Sequence, residues 1–498
     1  MGGSSLQTRV EKLTALLDVG KAMASERNLD RLLQLILDEV TKVMEADRSS
    51  LFLVDRTRNE LRSKIAQGLD VREIRVKIGK GIAGYVAQTG EIVNIRDAYA
   101  DPHFNQEMDR STGYRTHTIL CVPMRNKLNE VIGVLQVLNK RDGVFSPEDE
   151  ELLLALSSQA AVAIENAILY EDIQRLFEGF IKASVYAIES RDPTTSGHSD
   201  RVAVLTVGLA QRVDRIDTGP FASVTFSAED MRELRYASLL HDFGKVGVRE
   251  PVLVKARKLY EHDLDLVVAR FKFIRKGLEN DTLHKKLGLA LSLGSAAERE
   301  MAALDEDLQR KLEELDEYLR VILEANKPTV LPSGGFERIL EIAANTFEDG
   351  DGMHRPYLTT QEAENLTIGK GSLNPEERLE IESHVTHTFR FLRQIPWTRD
   401  LRRIPTIAYA HHEKLNGSGY PNALSDEAIP FQAKLMTVCD IYDALSAADR
   451  PYKKAVAPEA ALDILHMEVR DGNLDPDLVR VFIEGDVWRL THGMRTAA

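Results

Sequence analysis

Between Pro147 and Gly179 the chain carries no glycine or proline, and its apolar residues recur at helical spacing. The helical pattern runs from Ser146 to about Ser190, which is longer than one small domain needs. A helix of that length reads as a connector that pairs with its copy in a homodimer. It separates two stretches of different character, so no single core serves all 498 residues, and two or three domains are expected.

Before the connector, residues 1–28 read as an N-terminal helix. A second helix carries Leu32, Leu33, Ile36, Leu37 and Val40, with Asn28 as its cap. The period then shortens. SSLFLVD, LRSKIAQG, IRVKIG, EIVNIRD, TILCVPM and VIGVLQVL are short alternating or apolar runs, separated by turn-rich pieces such as DRTRN and NKLNE. Helices on a mainly antiparallel sheet account for this pattern, within an α+β chain. After Asp192 the pattern is helical almost to the end. Within it, Leu304, Leu308, Leu312, Leu315, Leu319 and Ile322 form a stripe that predicts one arm of a helical hairpin, inside a segment of about 259–371. The loop FEDGDGMHRP that follows lacks the ligand spacing of an EF-hand.

The net charge of −14 argues against broad binding of nucleic-acid polymers, though a local cluster of metals and cations can still hold a small anion. No apolar run approaches the roughly 20 residues that span a bilayer. Neither an apolar leader nor a disulfide pattern is visible (Cys121 and Cys439 are far apart), so cytoplasm is the expected compartment and no membrane partner is expected.

The chemistry-bearing residues lie in the second half. His198 stands in DPTTSGHSDRV, His241 and Asp242 in LLHDFGKVGV, His384 in IESHVTHT, His411 and His412 in AYAHHEKLNGSGYP, and Asp440 in TVCDIYDAL. Imidazoles with carboxylates suit borderline divalent metals such as Mn, Fe, Co, Ni or Zn. Adjacent side chains on a helix point about 100° apart, so such pairs grip metal only in a groove between helices. His103, His117, His262, His284, His354, His387, His466 and His492 belong to no such motif and read as surface or satisfied residues.

In the order H…HD…H…HH…GYP…D the second half resembles the HD-GYP subgroup of the HD phosphohydrolases, from about Phe180 to Tyr452. That resemblance implies an all-α HD-GYP domain over 180–498, with the helical segment as an insertion, and a bacterial signalling phosphodiesterase acting on cyclic di-GMP. It implies two divalent transition-metal ions, Fe or Mn favoured. His198, His241, Asp242 and Asp440 would hold the first, and Asp242 would bridge to the second, held by His384, His411 and His412. Members that take a third metal carry Glu where this chain has Thr194, which favours two. Lys245 is the expected catalytic cation beside Asp242, and Asp443 the expected partner of Lys245 or of a ligand histidine. Arg450 and Lys453 would grip phosphate, although the segment before Arg450 is one residue longer than the family form. Gly417, Gly419, Tyr420 and Pro421 form a tight loop for packing and docking, a diguanylate cyclase being the implied partner. The alternatives are another cyclic dinucleotide, such as mixed GMP-AMP, and a non-catalytic receptor that docks partner proteins.

NIRDAYADPHFN, DRSTGYRTHTILCVP and NKRDGVFSPEDE make the first half, about 29–165, resemble the GAF domains of cyclic nucleotide phosphodiesterases. Asn139, Lys140, Phe145, Asp149 and Glu150 carry the group's signature, with a Lys140–Asp149 ion pair expected to pin the last strand to the following helix. Ser50, Ile82, Ala83, Asp109, Thr112, Thr116 and Gln136 match positions that line the nucleotide pocket, whereas Ala66 and Gln67 stand where a relative has an aromatic and an acid. The resemblance implies a cyclic mononucleotide, another small ligand, or a ligand-free dimeriser. The connecting helix is placed at 150–190.

Overall fold

The computed structural model describes residues 17–63, 74–192, 196–328, 334–447 and 456–494, the side chains at 108, 111, 112 and 295 aside. The chain divides into two units, Met1–Gly179 and Phe180–Ala498.

Among the described residues of the first unit, six antiparallel strands form one sheet in the order β3-β2-β1-β6-β5-β4. The strands are β1 (Ala46–Asp55), β2 (Glu60–Ser63), β3 (Ile74–Lys77), β4 (Val93–Ile95), β5 (Ile119–Arg125) and β6 (Val131–Lys140). The register Leu51↔Leu135 and Val122↔Leu135 aligns alternate side chains on the same face. Leu51, Leu120, Val122, Leu135 and Val137 thus pack beneath the helix Leu29–Val43. Phe52, Ile119, Cys121 and Val134 pack on the opposite face beneath the helix Gly81–Thr89. Because both faces are covered, the first six residues of β5 are all buried, and the strand reads as an apolar run rather than an alternation. Asn28 caps the helix Leu29–Val43 by accepting from Arg31 N at 3.0 Å. Lys140 Nζ meets Asp149 Oδ1 at 3.3 Å and so ties β6 to the helix Pro147–Glu189.

That helix has 43 residues. By length and composition it is apolar enough to cross a membrane, which corrects the expectation that no such segment exists. From Leu152 to Leu169 it carries a single charge, Glu165, but Ser157, Ser158, Gln159 and Asn166 interrupt any visible run. Its first half is core instead, with Leu153, Leu156, Ala160, Ala161, Ile164 and Ala167 buried against the sheet and the first helix.

Among the described residues the second unit is helical, apart from a two-stranded hairpin, β7 (Thr346–Glu348) with β8 (His354–Pro356), that the sequence did not announce. Its central core joins the helices His198–Val213, Phe431–Ser446, Pro458–Arg470 and Pro476–Glu484 through Leu205, Leu209, Leu435, Tyr442, Leu465 and Phe482. The expected hairpin is present as Glu261–Leu293 and Glu298–Ala325. It has a separate core of Val267, Phe271, Ile274, Leu315, Tyr318, Ile322 and residues up to Leu366. The chain leaves and re-enters at neighbouring points. Ser372 Oγ donates to Lys255 O at 2.8 Å, and Lys258 Nζ donates to Leu366 O at 3.3 Å.

Candidate functional site

Five short pieces of backbone converge to build the site. His198 opens its helix just after Gly197, and Glu189 accepts from Gly197 N at 2.9 Å, fixing that start. His241 is the C-terminal cap of the helix Ala228–Leu240, and Asp242 leads into a 3₁₀ turn, Phe243–Gly247. His411 and His412 follow the end of the helix Ile404–Tyr409. The adjacent pairs therefore sit at helix ends rather than on helices, where the changed backbone direction lets both members face inward. His384 lies within Pro375–Leu392, and Asp440 and Asp443 lie within Phe431–Ser446.

Close backbone approach brings these pieces together. A Cβ on Gly244 would stand 1.9 Å from His384 O, so only glycine allows the HD turn to lie against the His384 helix. Thr388 Oγ1 accepts from Gly244 N at 2.8 Å and donates to His241 O at 3.0 Å. Thr437 Oγ1 donates to His411 O at 2.8 Å. Phe243 stacks on Phe391 with ring centroids 3.9 Å apart.

Three histidines share one arrangement. Nδ1 of His241, His384 and His411 donates to the carbonyls of Ser238, Ile381 and Ala408 at 2.7, 2.6 and 2.6 Å. With the proton on Nδ1, each Nε2 presents a lone pair, and all three Nε2 atoms are buried without a hydrogen-bond partner. Two of these lone pairs are aimed at acceptors: Nε2 of His384 lies 3.2 Å from Asp242 Oδ1, and Nε2 of His241 lies 3.7 Å from Asp440 Oδ1. Lone pairs facing one another in a buried space call for a cation between them, so the residues present fit divalent metal. The triads His198–His241–Asp242 and His384–His411–His412 each bring their ligand atoms within 4.8 Å, as does His241–His411–Asp440. All seven ligands expected from the sequence thus come together.

His198 is held differently. Its Nδ1 meets Asp443 Oδ2 at 2.8 Å, and its Nε2 meets Asp440 Oδ1 at 3.1 Å. Burial disfavours its charged form, but Asp440 and Asp443 outweigh that and raise its pKa to about 9. Burial and the neighbouring imidazoles keep His411 and His412 neutral, the latter with its pKa lowered to about 4. Burial pushes the carboxyls of Asp242 and Asp440 up, but Lys245 with His241, and His198 with His241, respectively hold them well below the usual range.

Lys245 Nζ lies 2.8 Å from Asp242 Oδ2 and 3.4 Å from Asp192 Oδ2. Burial opposes its charge, yet these two carboxylates prevail and raise its pKa. Asp443 is not its partner: besides His198, Asp443 takes Arg201 Nε at 2.8 Å and Nη2 at 3.1 Å, and it is fully buried. Asp443 thus meets a ligand histidine, as one of the two expectations had it, and not Lys245, since His198 and Arg201 fill both of its oxygens. Arg201 was missed by the sequence reading. The spacing His198 to Arg201 places it on the same helix face, which is the signal that could have found it.

The loop Gly417–Pro421 wraps over His412. Tyr420 N donates to His412 O at 3.2 Å, and the Tyr420 and His412 rings lie 4.7 Å apart. A Cβ on Gly419 would stand 2.4 Å from Lys414 N. Gly417 adopts a positive φ of 76°, and buried Glu413 accepts from Asn422 N and Leu424 N at 2.8 Å. Arg450, Lys453 and Thr194 lie outside the described residues.

The first unit has a pocket of about 390 Å³ on the sheet face that packs against Gly81–Thr89. Ser50, Ile82, Ala83, Asp109, Thr116 and Gln136 line it as expected, while the side chain of Thr112, with Ala66 and Gln67, lies outside the described residues. Arg48, Arg75, Lys77 and Lys80 also line it, and the sequence reading missed them. The Asp109 carboxylate is engaged, accepting from Thr116 N at 2.7 Å, Thr116 Oγ1 at 2.8 Å and Tyr99 OH at 3.1 Å. With that acid engaged, the lining leans basic.

Residues 28–164 match the GAF domain family, and residues 359–478 match the HD domain family. The chain is an N-terminal GAF domain followed by a helical HD domain. The HD match takes in His384, His411, His412 and Asp440, and the fold supplies His198, His241 and Asp242 from outside it. The chain is 38% identical over 173 residues to a probable 3',5'-cyclic phosphodiesterase pde-5 of Caenorhabditis elegans, covering 32% of this chain and 24% of that protein. It is 39% identical over 168 residues to a dual 3',5'-cyclic-AMP and -GMP phosphodiesterase 11A of Takifugu rubripes, covering 31% and 18%. The chain thus matches about a quarter or less of the length of these curated relatives. Among solved structures, the GAF domain of a phosphoenolpyruvate-protein phosphotransferase from Coxiella burnetii is 25% identical, with a TM-score of 0.30, covering 32% of this chain and 96% of that one.

Proposed function

We propose that the chain is a metal-dependent cyclic nucleotide phosphodiesterase of the HD-GYP type, which hydrolyses cyclic di-GMP under control of a small ligand at its GAF domain. The observation that carries this reading is the set of buried, partnerless Nε2 atoms of His241, His384 and His411 facing Asp242 and Asp440. His198, His241, Asp242 and Asp440 would hold one ion, and Asp242 with His384, His411 and His412 a second; the imidazole–carboxylate mixture suits borderline divalent metals, and the HD-GYP resemblance favours Fe or Mn among them. Divalent ions there supply Lewis acidity, acidifying water and neutralising charge on phosphate oxygens. Hydrolysis adds hydroxyl to phosphorus and a proton to the departing ribose oxygen. Lys245, held cationic beside Asp192 and Asp242, is the side chain placed to meet a phosphate oxygen or that departing oxygen. Asp443 and Arg201 keep the His198 ring in place.

The motif order from His198 to Asp440 and the GYP loop favour a cyclic dinucleotide as substrate. The relatives' names favour a second reading, a 3',5'-cyclic mononucleotide. Their aligned stretch is shorter than the GAF and HD segments together, so it fits one domain and not both. We therefore assign the mononucleotide to the GAF pocket as regulator, where Arg48, Lys77 and Lys80 suit a phosphate beside Arg75, which pairs with Glu60. The deciding experiment offers cyclic di-GMP, cAMP and cGMP separately to the full metal-loaded chain, with and without a chelator. Hydrolysis of cyclic di-GMP that the chelator stops is expected. Turnover of a mononucleotide instead would replace the substrate assignment, and tight binding of cyclic di-GMP without turnover would make the protein a receptor. Regulator binding is read by calorimetry with cAMP and cGMP on wild type and Thr116→Ala.

A further inference from the structure

Two adjacent residues just past the end of the helix Pro147–Glu189 hold the turn on which Lys245 stands. Arg191 is half-buried and Asp192 is buried. The Arg191 guanidinium donates from Nη1 to Val246 O and from Nη2 to Val248 O, the latter at 3.0 Å. Those two carbonyls flank Gly247, so one planar fork spans the end of the 3₁₀ turn Phe243–Gly247. Asp192 Oδ2 lies 3.4 Å from Lys245 Nζ. Consecutive side chains thus grip the backbone and the ammonium group of one turn.

We propose that Arg191 and Asp192 are positioning residues for Lys245, Arg191 acting on its backbone and Asp192 on its ammonium group. Lys245 has a second carboxylate, Asp242, at 2.8 Å. Asp242, however, faces His384 through Oδ1 at 3.2 Å and His241 through Oδ2 at 3.5 Å, so as a bridging ligand it commits both oxygens to metal. Asp192 belongs to none of the candidate ligand groups among the described residues. It is the carboxylate that stays with Lys245 when the ions are bound. The start of the turn is fixed by Gly244 N on Thr388 and by Phe243 on Phe391. Its end packs closely on His387, since a Cβ on Gly247 would stand 2.8 Å from that ring, and Arg191 ties the carbonyls on either side of this contact. A lysine stem is flexible, so its ammonium is useful to a reacting phosphate only when both its root and its tip are fixed. The effect of this pair on turnover rests on the hydrolase reading above, and its effect on the turn does not.

The test uses the full metal-loaded chain. Asp192→Asn keeps the shape of the side chain and removes its charge, so kcat for cyclic di-GMP should fall about 10-fold, with KM and bound metal within about 2-fold of wild type. In a Lys245→Ala chain the same change should leave kcat within about 2-fold of Lys245→Ala alone, because a residue that acts through Lys245 has nothing left to position. Arg191→Met should also lower kcat about 10-fold. It should speed amide exchange at Lys245 and Val248, whose N–H groups donate to Asp242 O and Lys245 O, by about 10-fold or more. Glu413, whose N–H donates to Ala410 O beside the other histidine pair, should exchange as in wild type. Losses that add in the Asp192→Asn, Lys245→Ala chain, or loss of bound metal in Asp192→Asn alone, would overturn the role of Asp192. Unchanged exchange in Arg191→Met would overturn that of Arg191. A wild type that turns over none of the three nucleotides would remove the hydrolase reading instead, and faster exchange in Arg191→Met would still support its hold on the turn.

Discussion

Replacing Arg201 by methionine separates the positioning role of the Arg201–Asp443 pair from the chemistry of the metal ligands. Methionine keeps most of the buried stem and removes the guanidinium, which leaves Asp443 with only the His198 N–H. The pair is deeply buried, with side chains 6% and 0% exposed and two short hydrogen bonds. Stranding one member of such a pair costs about 3–5 kcal/mol. At about 2 °C per kcal/mol for a unit of this size, the apo protein should melt roughly 6–10 °C lower. The Asp443 clamp behind His198 Nδ1 also loses its own anchor, and disturbing such a partner typically lowers metal affinity by up to about 10- to 100-fold. Scanning calorimetry of the apo form and a metal-buffered titration measure the two effects independently. Asp443→Asn combined with Arg201→Met should cost less than the sum of the two singles, because the uncompensated charge is gone. A melting point within a degree of wild type and an unchanged metal affinity for Arg201→Met would refute the reasoning.

Lys245→Ala should lower kcat roughly 10²-fold or more while bound metal, measured by elemental analysis, stays at the wild-type level. Gly419→Ala drives a methyl into Lys414 N and Glu413 Cα, so it should destabilise by about 1–3 kcal/mol in urea unfolding, and an unchanged midpoint would show that the loop yields. Glu377 pairs with Lys255 Nζ at 2.7 Å and accepts from Tyr260 OH at 2.7 Å. Burial pushes its carboxyl up, but Lys255, the Asn374 N–H and Tyr260 outweigh that and lower its pKa. A depressed carboxylate stabilises fully above its unfolded pKa of ~4.3 and loses that contribution as pH falls through the folded value. Glu377→Gln should therefore be less stable than wild type at pH 7, with the gap narrowing below about pH 4 in parallel urea titrations.

The seven candidate ligands were legible because each stands in a local motif whose residue types suggest metal chemistry, and the fold adds their convergence. The orientation of the pairs was not legible. His241–Asp242 and His411–His412 read as helical in sequence, yet each lies where its helix ends, and the end is set by packing against other helices. Arg201 and Asp443 meet across 242 residues, so no local pattern marks the contact. The need for glycine at 244 arises from the backbone of His384, which is also far off in the chain. In the GAF domain the pocket positions Ser50, Ile82, Ala83, Asp109, Thr116 and Gln136 were found by resemblance. The basic lining at Arg48, Arg75, Lys77 and Lys80 comes from strands and a turn whose charges looked like ordinary surface.

The closeness of the chain's exit at Lys255 to its return at Ser372 makes the intervening helical segment a detour rather than a structural member. Its apolar residues satisfy one another, so excision would strip little from the core around Leu205 and Tyr442. A short linker joining the two ends would close a loop at small entropic cost. Selection can therefore lengthen, trim or replace this segment without renegotiating the geometry of the histidines, and two proteins sharing that geometry can differ greatly in length between the second and third of their motifs.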